Sequence, residues 1–100
     1  MINRIVTMTF QADKVADFLT IFDDSKDKIR AFPGCHGLRL LQTTGKPHQM
    51  STYSLWESEE ALNAYRDSDL FAVTWAKTKA LFSDKPVAFS TVIIRDLNQN

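Results

Sequence analysis

The chain has 100 residues, 44% of them hydrophobic and 24% charged, with three glycines, three prolines and one cysteine. That is enough for one folded domain, and it excludes disordered, collagen-like and low-complexity classes. Twelve basic residues balance twelve acidic ones, so the clustered positive excess on which nucleic-acid or polybasic membrane binding depends is missing.

Residues 2–10 alternate, with Ile2, Arg4, Val6, Met8 and Phe10 on one face and Asn3, Ile5, Thr7 and Thr9 on the other. This period predicts a strand. It also differs from the unbroken apolar run of a signal peptide. No stretch approaches the ~20 apolar residues of a membrane span, and the expectation is a cytoplasmic protein. Near Ala12-Asp13 the period changes to three and four, through Val15, Phe18, Leu19, Phe22, Ile29 and Phe32. This predicts an amphipathic helix over 13–31, stopped by Pro33-Gly34.

Strands are predicted over 36–43 and 48–56, joined as a hairpin by Thr44-Gly45-Lys46-Pro47. Ser58 is a candidate N-cap, with Glu59 and Glu60 placed to complement a helix dipole. That helix runs to Arg66. Ser68 or Asp69 caps a restart, whose stripe of Leu70, Phe71, Thr74, Trp75, Thr78, Leu81 and Phe82 reaches residue 82. Ser83-Asp84-Lys85-Pro86 breaks it, and 87–95 form the last strand. Residues 1–96 are read as one domain and 97–100 as a frayed tail.

The order β-α-β-β-α-β predicts an α+β, ferredoxin-like protomer: one antiparallel sheet with both helices on one face. Its last strand is apolar on both faces and lies at an edge, which invites association unless covered. The second sheet face also needs cover. A homodimer packed sheet on sheet meets both needs.

Cys35 has no internal partner, and strand alternation turns it away from His36. It reads as a small apolar residue and not as a nucleophile. His36 and His48 lack metal-site spacing, and three glycines do not build a phosphate loop, so no metal or phosphate site is expected.

Three segments resemble one family. Phe32-Pro33-Gly34-Cys35-His36-Gly37 is similar to the "PGC" turn of the antibiotic biosynthesis monooxygenase family. Tyr53-Ser54-Leu55-Trp56-Glu57-Ser58-Glu59-Glu60-Ala61-Leu62 is similar to its strand and helix start, and Ser68-Asp69-Leu70-Phe71 to its helix restart. The resemblance covers about residues 2–94 in order. It implies a dimeric α+β barrel, each protomer holding a pocket between sheet and helices. It also implies oxygenases that act on aromatic, quinol or polyketide-type substrates without metal or flavin, with no cofactor called for. Another branch degrades haem. Laid on that branch's motif, Tyr65 stands at its Trp position, Trp75 at its iron-ligating His position and Arg4 at its strand-one Asn position. An indole is a donor only, so haem degradation is not expected. The histidines of many quinol-type members fall on Tyr65 and Leu70.

What remains is a cluster of Arg4, Tyr65, Phe71 and Trp75, alongside Trp56. The aromatics read either as core or as a ligand cage. Arg4 has three readings: it reaches solvent along the strand, pairs with Asp67 or Asp69, or meets a ligand anion. The enzyme reading makes Arg4 and Tyr65 catalytic, with Arg4, Tyr65, Phe71 and Trp75 binding a small aromatic or quinol-like substrate. The competing reading is a non-catalytic or stress-related binder of a small ligand. Isomerase, dehydratase or dehalogenase-like chemistry on the same scaffold is the remainder.

Overall fold

Alternation in the first ten residues becomes strand β1 (Ile2–Thr9) in the computed structural model, which describes residues 1–98. A short 3-10 turn over Ala12–Lys14 leads into helix α1 (Val15–Arg30). β2 (Cys35–Gln42) and β3 (Gln49–Trp56) form the hairpin. Helices α2 (Glu59–Arg66) and α3 (Asp69–Lys79) follow, and β4 (Val87–Thr91) closes the sheet. The strand order is β2-β3-β1-β4, and every pair is antiparallel. This is the α+β, ferredoxin-like arrangement that the element order requires.

Two elements are shorter than their patterns predict. β4 ends at Thr91, not at residue 95. Thr91 already faces Asn3, so only Met1 and Ile2 of the neighbouring strand lie beyond it. Val92, Ile93 and Ile94 leave the ladder and are exposed. α3 stops at Lys79, three residues before the end of its apolar stripe. Here the Leu81 carbonyl accepts from the Gln11 amide, and Phe82 bridges to Phe10. Pairing at the end of β1 thus overrides helical continuation. Of the expected tail, Gln99 and Asn100 lie outside the described residues.

The register separates the two sheet faces. Arg4 pairs with Ser54 and Ser90, and Val6 with Thr52 and Ala88, on the face beneath the helices. Ile5 pairs with Tyr53 and Phe89 on the opposite face, where Phe89 is 45% exposed. On that open face the Tyr53 hydroxyl donates to Asn3 Oδ1 at 2.8 Å.

Two clusters fill the layer between sheet and helices. One gathers Met8, Phe10, Phe18 and Met50; the other gathers Cys35, Trp56 and Leu62. Trp56, wholly buried, donates from Nε1 to Ser54 Oγ at 2.9 Å. Gly34 shapes the second cluster. Its φ of +86° favours glycine, and an added Cβ would overlap the Ala61 side chain. Its carbonyl accepts from the Glu57 amide at 2.8 Å, which ties the turn to the entrance of α2.

Candidate functional site

Between the two clusters the layer does not close. A cavity of about 620 Å³ lies over the middle of the sheet, within the range of small-molecule sites. Arg4, Val6 and Met8 of β1 line one side, and Phe18, Phe22 and Ser25 of α1 line another. Tyr65, Phe71 and Trp75 line the side supplied by α2 and α3. The structure therefore brings Arg4, Tyr65, Phe71 and Trp75 to one cavity. Trp56 does not line it and stays in the core behind Tyr65.

The joint between α2 and α3 arranges these rings. Asp67 ends α2, its amide donating to the Asn63 carbonyl. Ser68 then caps α3, its Oγ accepting from the Phe71 amide at 3.1 Å. Rings on both sides of the joint make a continuous aromatic wall. Trp56 and Tyr65 stack at 4.9 Å, and Tyr65 meets Phe71 edge-on at 5.3 Å. Phe71 and Trp75 stack at 5.7 Å with planes 11° apart, and Trp75 meets Phe82 edge-on at 5.6 Å. Offset stacks and edge contacts of this kind hold rings in fixed orientations. The core and cage readings are thus compatible: the same rings pack on one another and face the cavity.

Arg4 is half-buried, and its Nη1 donates to Ser90 Oγ at 3.2 Å. The pairing with Asp67 or Asp69 is not found. Ion pairs among the described residues join Lys14 to Asp17 and Lys26 to Asp23. Strand alternation turns Arg4 to the cavity that Asp67 also lines, but both aspartates are exposed and neither carboxylate comes within ion-pair distance of it. Burial lowers the guanidinium's hold on its proton, and the nearby charge of Arg66 lowers it further. The group stays cationic near neutrality, because the starting value is so high.

Tyr65 moves the other way. Burial, and then the neighbouring Cys35, pushes its phenol up to about 12. Near neutral pH it is an O–H donor and not a phenolate. Three hydroxyls along the cavity are committed elsewhere. Ser25 Oγ donates to the Ile21 carbonyl and Thr78 Oγ1 to the Thr74 carbonyl, both at 2.8 Å. Ser54 Oγ accepts from Trp56. A cation from β1 and a phenol from α2 thus face the cavity together, and the exposed Asn63, Arg66 and Asp67 line it as well. His36 and His48 are exposed and do not line the cavity. Among the described residues no three His, Cys, Asp or Glu side chains are grouped to hold a metal ion.

Sequence reasoning missed Asn63 and Arg66, which also line the cavity, as does Asp67, which it weighed only as a partner for Arg4. The signal was present in the helical period: Arg66 is one turn after Leu62 and Asn63. A reading confined to the apolar members of α2 passes over them.

Comparison with known proteins places this geometry. A search of curated protein sequences returned no significant relative. Among solved structures, an antibiotic biosynthesis monooxygenase superposes with a TM-score of 0.88 at 15% identity, over 95% of this chain and 100% of that one. SnoaB, a cofactor-independent oxygenase from Streptomyces nogalater, gives 0.86 at 15% identity, over 98% and 97%. Rv0793 from Mycobacterium tuberculosis gives 0.87 at 15% identity, over 97% and 98%. At such identities the likeness shows the fold alone. The sequence model of one family matches residues 1–77, from β1 through Trp75, and so spans nearly all the cavity-lining elements. This chain belongs to the antibiotic biosynthesis monooxygenase family.

Proposed function

We propose that the protein is a cofactor-independent monooxygenase acting on a small aromatic, quinol or polyketide-like substrate. The observation that carries this reading is the half-buried guanidinium of Arg4, with no carboxylate partner among the described residues, in one cavity with an aromatic wall and a phenolic donor. A substrate ring lies against Phe71 and Trp75, and its phenolate or enolate oxygen faces Arg4. Charge spread onto the ring carbon passes to molecular oxygen as a carbon–oxygen bond forms. The resulting hydroperoxide loses water as the carbon gives up its hydrogen, leaving a quinone. Both oxygen atoms are accounted for, one in the quinone and one in water. Arg4 balances the anion, and Tyr65 donates a hydrogen bond to a substrate oxygen. Preorganised charge of this kind is a sufficient protein contribution. Family membership and the likeness to SnoaB, a cofactor-independent oxygenase, support the class of chemistry. Haem degradation is not proposed, because Trp75 and Arg4 stand where that chemistry needs an imidazole and an amide.

Oxygen uptake with a panel of quinols and phenols tests this. Arg4→Ala is expected to lower kcat/KM by 1.5–3 kcal/mol, roughly 10- to 150-fold. Its melting temperature should stay within ~2 °C, since a mostly unpaired surface-reaching charge adds little to folding. Equal uptake by both proteins would overturn the assignment. Binding without uptake would favour a non-catalytic ligand binder, a reading motivated by the lack of histidine along the cavity.

The same reading takes residues 1–96 as one cytoplasmic domain that pairs with a second copy. Ile5, Tyr53, Phe89 and Val87 share the open sheet face, and Val87 is 59% exposed. Burying such a patch between two sheets is favourable. Light scattering should give twice the 11.4 kDa chain mass; a single-chain mass at micromolar concentration would refute the dimer.

A further inference from the structure

Arg66 lines the same cavity as Arg4 but comes from another element, the last residue of α2. It is exposed, so it stands at the mouth while Arg4 is half-buried. Two cations that open on one cavity repel each other, and that repulsion is felt at Arg4. No carboxylate relieves it: Asp67 lines the mouth too, yet it makes no ion pair with either arginine. The α2 carbonyl end only partly offsets the charge of Arg66. Asn63, one turn earlier, brings an amide to the same opening. A ligand with a single anionic oxygen, placed against Arg4, leaves Arg66 and Asn63 unused. Two guanidiniums lining one cavity are matched by two oxygen functions on one ligand, and a guanidinium fork suits a planar carboxylate.

We propose that the substrate is an aromatic hydroxy acid, with its ring oxygen at Arg4 and its carboxylate held at the cavity mouth by Arg66 and Asn63. This rests on the ring-binding role proposed for the cavity and narrows it from phenols and quinols in general to acidic ones.

Calorimetric titration of the full chain with 1-hydroxy-2-naphthoate and with 1-naphthol tests it. The wild type is expected to bind the acid about tenfold more tightly than the naphthol, the scale of one charge-assisted contact. Arg66→Gln should remove that preference, weakening the acid about tenfold and the naphthol less than about twofold. Added salt should weaken acid binding in the wild type and much less in Arg66→Gln, because the lost contact is at a screened surface. Arg66 is exposed, so an unchanged melting curve is the control for folding. If Arg66→Gln weakens both ligands alike, or neither, the inference fails while ring binding in the cavity stands. If the wild type binds neither compound, the proposed ring-binding role fails and this inference with it.

Discussion

The two core clusters rest on the same sheet but treat polar atoms differently. Around Phe10, the rings of Phe18 and Phe82 stack and tilt at 4.3 and 5.5 Å, and Met8 and Met50 fill the remaining space. Every group there is apolar, and thioethers adapt to irregular gaps. Around Trp56, two of the large rings carry a polar atom. The indole finds Ser54, while the Tyr65 phenol is left toward the cavity. The first cluster seals its end of the layer. The second supports a wall, and its rings have a structural back and a chemical front. The cavity runs between the two, lined by Met8 and Phe18 of the first cluster and by Leu62 and Tyr65 of the second, and only the second brings it a phenol.

Removing the anchor of the second cluster should give the largest effect. Trp56→Ala is expected to cost ~3–5 kcal/mol in chemical denaturation, as for other buried tryptophans. For a domain of this size that approaches total stability. A melting point near that of the wild type, with ligand binding lost, would move Trp56 from support to ligand contact. Next comes the turn beneath it. Gly34→Ala combines left-handed strain with overlap on Ala61, for about 2–4 kcal/mol. Gly45 also has positive φ, at +81°, but open space around it. Gly45→Ala should therefore cost only ~1–2 kcal/mol, and equal losses at the two glycines would show that the Ala61 contact is soft.

The remaining effect is confined to high pH and absent near neutrality. Tyr65 ionises at about 12 in the folded chain and near ~10 in an unfolded one. Between these values the folded state holds a proton that the unfolded state has released, so stability falls as pH rises. The loss reaches roughly 2–3 kcal/mol once both states are ionised. Tyr65→Phe should flatten the decline between pH 10 and 12 in denaturation profiles. An unchanged slope would mean that the phenol is better hydrated than its packing against Trp56 implies.

Much of this architecture is legible without coordinates. Strand alternation placed Arg4, Val6 and Met8 together, and the Ser58 and Ser68 caps marked both helix starts. The ends were harder to read. Apolar periodicity carried the last strand to residue 95 and the last helix to 82, but strand ends depend on where a neighbour runs out, and Phe82 is claimed by Phe10. Such long-range competition has no local signature. The aromatic and cationic members of the candidate site were also visible: Arg4 breaks the apolar pattern of its face, and Tyr65, Phe71 and Trp75 fall on family motif positions. Arg66 and Asn63 break no pattern: a polar residue at the end of a surface helix is ordinary until the cavity beside it is known.

The shift in pairing between Cys35 and Gly37 has a practical consequence. It leaves His36 in solvent and turns the sole cysteine inward, with Sγ toward the Gly37 carbonyl at 3.5 Å. A thiol at 7% exposure beside Trp56 meets an alkylating reagent chiefly when that end of the layer opens. Its labelling rate, set against that of the unfolded chain, reports the free energy of local opening. The protein thus carries its own clock for the breathing of the wall on which the proposed chemistry depends, with no engineered probe.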